Sequence, residues 1–281
     1  MTGTLWLVAT PIGNLSDITP RAQKTLESAS LICCEDTRRT GRLLQHLGIS
    51  AQALAVCNDH TEHRLAQRVV DKLSEGHDVA VVSDAGTPGI SDPGERLVRA
   101  AIESGAIVSA IPGACAAISA LITSGLSTER FVMEGFLPRR GRERTDRLTD
   151  IAAEHRTVIL YEAPHRVIRT LSDLSEICGG DRQISVSREL TKLHEETIRS
   201  TLSEINIGEP RGEYVIVIAG RSREIEPATE DSIKDALELA LQSGLSRRDA
   251  AAEVSRRLGI PRRQAYDLVT QMTPADESGT Q

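Results

Sequence analysis

Aromatic side chains are nearly absent from this chain. Its 281 residues include one Trp, three Tyr and two Phe, 2% in all. So few rings exclude a function built on rows of stacked bases, such as an aromatic platform for single-stranded nucleic acid. Cysteine is also sparse and shows no paired spacing. Cys33, Cys34, Cys57, Cys115 and Cys178 sit in apolar or mixed runs, where a reduced thiol acts as a small hydrophobe. The pattern points to a reducing, cytoplasmic setting and matches no common metal-ligand spacing. Asp59-His60-x-Glu62-His63 invites a metal reading, with two imidazoles three apart on one helix face. A helix start capped by Asp59 is the simpler account, and no metal is expected. Positive charge is not in excess either: 33 Lys and Arg face 40 Asp and Glu, for a net charge of −7. A general nucleic-acid coat protein would be basic, so any RNA-facing surface must be local. The uncharged run from Ser104 to Thr128 has the length of a bilayer span. Pro112, Gly113 and several serines divide it into strand, turn and helix, so no membrane segment is expected. MTGTLWLVAT lacks the basic region and cleavage pattern of a secretion signal.

What the chain does have is regular alternation. Strands are predicted over Thr4–Ala9, Leu31–Cys34, Ala53–Val56, Val79–Val82 and Ala106–Ile111. Helices are predicted over Pro20–Ala29, Thr40–Leu47, His63–Leu73, Glu95–Glu103 and Cys115–Ile122. Strands that are apolar throughout, separated by amphipathic helices, imply a parallel sheet covered on both faces. This first α/β domain covers residues 1–125. A second domain, 126–220, mixes strands (Phe131–Phe136, Val158–Tyr161, Ile184–Ser187, Thr197–Leu202, Tyr214–Ala219) with a helix over Arg166–Ile177, and reads as α+β. Its Arg139–Arg147 stretch is read as a charged segment. A polar linker over 221–231 leads to a small helical module, 232–272, and residues 273–281 read as disordered.

Ligands of open α/β sheets bind at the carboxyl ends of the strands, and three loops there stand out. ATPIGNLSDIT, Ala9–Thr19, is not a dinucleotide fingerprint. VSDAGTPGISDPG, Val82–Gly94, alternates glycine with proline, which makes a stiff loop with bare backbone suited to a ligand resting on main chain. Asp84 ends its strand, where a carboxylate can meet a cation or hydroxyl, and Asp92 reads as a turn or cap residue. IPGACAAISAL, Ile111–Leu121, opens a helix of very small residues, in which Ala114, Ala116 and Ala117 permit close approach of a ligand or of another backbone. None of the three is a phosphate-binding loop. Together they suggest a flat, apolar pocket, rich in main chain, with one carboxylate.

Seven segments then occur in a telling order: LVATPIGNLSDIT, CEDTRRTGRLL, VSDAGTPGISDPG, SAIPGACAAISAL, EGFLPRRG, YEAPHRV and SRELTKLHEE. The series resembles the tetrapyrrole-methylase superfamily, in its branch that acts on small-subunit ribosomal RNA, over about residues 4–220. The resemblance implies S-adenosylmethionine as methyl donor and 2′-O-methylation of a cytidine in 16S rRNA, free or in the assembled 30S subunit. It also implies a two-domain homodimer with the cofactor folded into the cleft between domains. By the same resemblance, Asp84, Gly86 and Thr87 lie along the methionine part of the cofactor, with the turn of Ala114 and Ala116 nearby. Pro11 stands where a Gly is common elsewhere, and Ile12 and Gly13 would line the same cleft. Tyr161 is the candidate on the adenosine side. Ala163 stands where relatives often have Ser.

The transfer needs an acceptor oxygen held in line with the methyl group and gains from a proton acceptor. Glu189 and Lys192 are the candidate polar pair at the ribose, with Glu35 and Asp36 as competitors. Arg38, Arg39 and Arg166, with Arg139, Arg140, Arg142 and Arg144, are candidate RNA contacts, since guanidinium suits phosphate. In the tail, Ser246 with Asp249 resembles a capping box, Gly259 breaks the helix and Pro261 opens another. That is helix-turn-helix spacing, with Arg262 and Arg263 at the start of the second helix as candidate RNA contacts. Two other readings remain: a methyltransferase for a tetrapyrrole, and a ligand-sensing α/β domain joined to a DNA-binding tail.

Overall fold

The computed structural model describes residues 2–58, 61–222 and 229–272. They fall into two compact units, Met1–Arg221 and Ser222–Gln281. The expectations for Asp59 and His60, for most of the linker and for 273–281 fall outside the described residues.

The first unit begins with five parallel strands, β1 (Thr4–Val8), β2 (Leu31–Cys34), β3 (Leu54–Val56), β4 (Val79–Val82) and β5 (Ile107–Ile111), in the order β3-β2-β4-β1-β5. Successive side chains of a strand leave on opposite faces, and both faces are covered. Val79 and Val81 pack with α3 (Glu62–Ser74) and α4 (Glu95–Glu103). Ala80 and Val82 pack with α1 (Pro20–Ser28) and α2 (Thr37–His46). That is why the strands read as unbroken apolar runs. Helix α2 begins three residues before its predicted start because the Asp36 side chain accepts from the Arg38 amide and caps it there.

The fifth helix, α5 (Ala116–Thr123), predicted over Cys115–Ile122, reaches from the first layer to the second sheet. Its Ala117, Ala120 and Leu121 pack against Ile159, Leu190, Val215 and Val217 of the second sheet. The small residues there serve helix–sheet contact. That second sheet has the order β6-β7-β10-β8-β9, from β6 (Phe131–Phe136), β7 (Thr157–Glu162), β8 (Gln183–Arg188), β9 (Glu196–Thr201) and β10 (Tyr214–Ile218). The β6–β7 pair is parallel and the others antiparallel. Its far face packs on α6 (Arg142–Ala153) and α7 (Pro164–Cys178).

Helix α6 corrects the reading of Arg139–Arg147 as a charged segment. Arg144 is 3% exposed; its guanidinium bonds to Asp173, to the Thr170 hydroxyl and to the Pro138 carbonyl. It holds α6 to α7 and is not a surface arginine.

The second unit is a three-helix module, α8 (Glu230–Gln242), α9 (Arg247–Leu258) and α10 (Arg262–Gln271). It has its own core of Ile233, Leu237, Ala251, Val254, Ala265 and Val269. Ser246 accepts from the Asp249 amide and donates to the Asp249 carboxylate, and Gly259 ends α9 in the left-handed conformation at φ 65°. Among the described residues, no helix is long and apolar enough to cross a membrane.

Candidate active site

The loops singled out in the sequence are fastened to one another. Thr10 and Gly86 exchange two backbone hydrogen bonds, at 2.8 and 3.1 Å. The Thr10 hydroxyl donates to the Ser83 carbonyl, and the Thr87 hydroxyl to the Ala114 carbonyl at 3.1 Å. At the neighbouring strand ends, the Asp36 amide donates to Asp84 and the Asp84 amide donates to Glu35. The Gly/Pro loop is anchored at its exit by Glu62, which is buried and accepts from the amides of Gly94, Arg96 and Leu97. Helix α4 has no capping side chain of its own, so this carboxylate, 32 residues away in sequence from Gly94, neutralises the exposed donors of its first turn.

Over these loops lies a cavity of about 490 Å³, with its other wall on the second sheet. Ile12, Glu35, Arg39, Asp84–Thr87, Ile90–Asp92, Cys115 and Ala116 line one side. Phe136, Tyr161–His165, Glu189, Leu190, Lys192 and Glu213–Val215 line the other. All three described non-glycine residues with positive φ lie here or beside it: Ser91 at 59°, Glu189 at 50° and Thr191 at 66°. Backbone in this region costs free energy and persists where surrounding contacts enforce it, as at functional sites.

The predicted residues distribute unevenly. Ile12, Asp84, Gly86, Thr87, Ala116 and Tyr161 line the cavity, as do Glu189, Lys192 and Arg39. Pro11, Gly13 and Ala114 are not among its lining residues. Gly13 is instead required by close packing, since a Cβ there would collide with Lys192 and with Thr191 Oγ1. The amide of its neighbour Asn14 donates to Thr191 Oγ1 of the same loop at 3.1 Å. Ala114 acts through its carbonyl on Thr87. Asp84 already has its cation, Arg39, at 3.2 Å.

Glu189 and Lys192 are brought together, Oε1 to Nζ at 2.8 Å. The lysine holds the Glu189 carboxyl below the usual carboxylate range, and Gly212 leaves room for it, because a Cβ there would strike the carboxylate. Tyr161 is pushed up to about 12 by burial and by Cys115, while the Ala117 amide bonds to its oxygen. The tyrosine therefore ties β7 to the start of α5. Arg38 lies outside the cavity, 85% exposed and paired with Asp36 at 2.8 Å, which that pairing holds well below the usual range.

Arg166, a candidate RNA contact, is already engaged within the protein. Its guanidinium pairs with Glu162 at 3.2 Å and donates to the Leu137 carbonyl. Glu162 is 1% exposed and also accepts from the Thr170 hydroxyl and the Ala163 amide. Arg166 neutralises a buried carboxylate in the cavity wall, with its side chain 18% exposed. Arg262 and Arg263 are exposed on α10.

Of the lining residues that escaped the sequence reading, two stand out. Asp92, read as a turn residue, has its carboxyl pushed up to about 7 by burial and by the neighbouring Glu35, with further pressure from Asp84 and Glu213 and some relief from the Ser83 hydroxyl. Phe136 ends β6 at the cavity. The signal was present for both: Asp92 lies in a loop already marked, and Phe136 is one of two phenylalanines in the chain.

The family model of Tetrapyrrole (Corrin/Porphyrin) Methylases matches residues 4–206. The chain is 48% identical to ribosomal RNA small subunit methyltransferase I of Synechocystis sp., covering 95% of this chain and 97% of that one. It is 42% identical to the protein of the same name from Pasteurella multocida, over 95% and 96% of the two chains, and 43% identical to that of Escherichia coli O157:H7, over 94% and 93%. Among solved structures, the methyltransferase CobJ superposes with a TM-score of 0.59 at 20% identity, covering 78% of this chain and 95% of that one. A uroporphyrin III C-methyltransferase from Thermus thermophilus superposes with a TM-score of 0.56 at 15% identity, covering 77% and 97%. The fold is thus that of corrin and porphyrin methylases, while sequence identity along nearly the whole chain is to the ribosomal enzymes. The chain belongs to the tetrapyrrole methylase family and, within it, to ribosomal RNA small subunit methyltransferase I.

Proposed function

We propose that the cavity is where S-adenosylmethionine and a ribose of 16S rRNA meet, and that the chain methylates the 2′-oxygen of a cytidine there. The observation that carries this reading is the cavity's charge. Glu35, Asp84, Asp92, Glu162, Glu189 and Glu213 line it against Arg39 and Lys192; Glu162 is neutralised by Arg166, and both lining cations are already paired with carboxylates. Burial first, and then the neighbouring carboxylates, make Asp92 resist ionising. A partly apolar ligand carrying positive charge relieves that crowding, whereas a phosphate would add to it.

S-adenosylmethionine, the methyl donor of this family, supplies a methyl group on a positively charged sulfur. Asp92, with the backbone of Asp84–Thr87, would hold its charged end. Ile12, Ala116 and Tyr161 give the apolar wall, and Pro11, Gly13 and Ala114 support that wall from behind. Glu189 and Lys192 are assigned to the ribose. Because Lys192 keeps Glu189 ionised, the carboxylate is a firm acceptor for the 2′-hydroxyl and a weak base, so its contribution is orientation of the oxygen more than removal of the proton.

Outside the cavity, Arg38 and the Arg262–Arg263 pair are the proposed RNA contacts. The working assembly is proposed to be a homodimer. Its support is the apolar surface left open on edge strand β5 at Ile107 and on α5 at Ile118 and Ile122; light scattering that gives a monomer mass would remove this part. A cytoplasmic location follows from the ribosomal substrate.

The test uses labelled S-adenosylmethionine with small subunits from cells lacking the modification, and with naked 16S rRNA in parallel. Label is expected on one ribose 2′-oxygen. Glu189→Gln should slow transfer about 100-fold with cofactor affinity unchanged by calorimetry. Cofactor binding without label on either RNA would reject the reading.

A further inference from the structure

The chain has few aromatic rings, yet Phe136, Tyr161 and Tyr214 all line this cavity. Tyr214 is 2% exposed and Tyr161 is tied to α5 through its hydroxyl. Phe136 differs: it is 54% exposed.

Its placement is built into the backbone. The β6–β7 ladder shifts register between Met133 and Gly135, and Gly135 has φ 64°. Such a bulge re-aims the side chain that follows. The next residue, Leu137, is buried in the core, so strand alternation sends Phe136 outward. One side of the ring is backed by Tyr161, with centroids 5.6 Å apart and planes inclined by 51°. A second segment meets the bulge from the Gly/Pro loop. A Cβ on Gly135 would lie 3.0 Å from Ser91 Oγ, and Ser91 itself holds φ 59°. The residue before it, Ile90, is 43% exposed and also lines the cavity. Two open apolar side chains thus stand on adjoining, constrained segments at one cavity.

We infer that Phe136 and Ile90 form a clamp for the pyrimidine base of the nucleotide being methylated, an inference that rests on the reading of the cavity as a ribose-methylation site. The 2′-oxygen can reach the Glu189–Lys192 pair only if its ribose enters the cavity. The base is bonded to that ribose and leaves its stack with it. An extruded base needs an apolar surface, and an aromatic ring with an aliphatic neighbour supplies one. A single ring suffices for one base, which fits a chain too poor in aromatics to bind a row of them.

The experiment compares wild type, Phe136→Ala, Phe136→Tyr and Ile90→Ala on small subunits or rRNA, whichever the wild type labels. Phe136→Ala should lower kcat/KM for RNA about 10–100-fold. It should weaken RNA binding, measured with S-adenosylhomocysteine present, by a similar factor. Cofactor affinity by calorimetry and the melting temperature should hold, and Phe136→Tyr should restore kcat/KM to within about threefold of wild type. Ile90→Ala should move the same two RNA quantities by a smaller factor. If Phe136→Ala weakens cofactor binding as much as it slows transfer, the ring serves the cofactor and the inference falls. An unchanged kcat/KM would end it as well. A wild-type protein that binds cofactor but labels no RNA would fail at an earlier point, taking the reading of the cavity with it.

Discussion

Around the cavity, six carboxylates face two lining cations; those two are already engaged, and Glu162 is neutralised by Arg166. On α9 and α10 the balance is reversed: Arg247, Arg248, Arg256, Arg257, Arg262 and Arg263 are all exposed, with Asp249, Glu253 and Asp267 as the acids on the same helices. Helix α8 of the same module carries Glu230, Asp231, Asp235 and Glu238 against Lys234. Neither distribution is visible in a net charge of −7. One charge pattern is gathered around a cavity, where its less exposed carboxylates, Asp84 and Glu189, are screened less than free surface charges. The other is open to solvent, where individual pairs are weak but a row of guanidinium groups can displace counterions from a nucleic acid. The comparison teaches that an arginine's value as an RNA contact depends on what it already holds.

Arg144 tests that lesson most severely. It looks like the tail arginines in sequence but is enclosed with Asp173 and Thr170. Arg144→Ala leaves the Asp173 carboxylate without its buried partner and separates α6 from α7. The expected loss is about 3–5 kcal/mol of unfolding free energy in urea melts. If the variant instead kept its stability and lost only RNA affinity, the enclosed arginine would belong with the exposed ones and the distinction would fail.

The same contrast shows what the sequence could reveal. The parallel layer was legible because Val79–Val82 is buried on both faces, which leaves no polar alternation to mislead. Strand β2 and helix α4 have the predicted bounds for related reasons, a local apolar run and a local amphipathic one. Helix α6 was hidden because its first turns are dense in arginine, and the partner that buries Arg144 lies 29 residues on. The trans cap of α4 by Glu62 was hidden in the same way. In the cavity, the three marked loops and the Glu189–Lys192 pair could be named, since spacing within a loop is local. Asp92 could not be ranked above Asp84, because its shift comes from burial first and then from Glu35, Asp84 and Glu213, all of which only the fold supplies.

A milder probe acts on the exposed side of the comparison. Among the described residues Arg262 makes no side-chain hydrogen bond or ion pair, and Arg263 stands 3.9 Å from Asp267 with its side chain 93% exposed. Arg262→Glu with Arg263→Glu should leave melting temperature and cofactor affinity in place. RNA affinity should fall about tenfold, and the dependence of log affinity on log salt should flatten by about two. An unaltered salt dependence would mean that α10 does not meet the backbone of the RNA, and the tail would then be a packing module despite its charge.

The smallest expected effect is also the most specific to the enclosed side. Asp92 titrates at about 7 in the free protein, above the ordinary carboxylate value near 3.9. Between those limits the folded chain holds a proton that the unfolded chain has released. The stability this contributes is complete below about pH 4 and is lost as pH rises to about 7. Asp92→Asn removes the titration, so it should match wild type near pH 4 and exceed it at pH 8. Discounted for partial exposure, the gain is on the order of 1 kcal/mol, or about 2–4 °C in melting temperature. The same variant should bind S-adenosylmethionine more weakly at pH 8, and wild-type affinity should itself decline as pH falls from 8 to 6, because protonation removes the charge that holds the ligand. A variant that is more stable yet binds less tightly would show that the carboxylate is retained against folding stability for the ligand's sake. Equal melting temperatures at both pH values would mean that neither burial nor Glu35, Asp84 and Glu213 press on Asp92, and the cavity's acidity would then be no more consequential than the open charges of the tail.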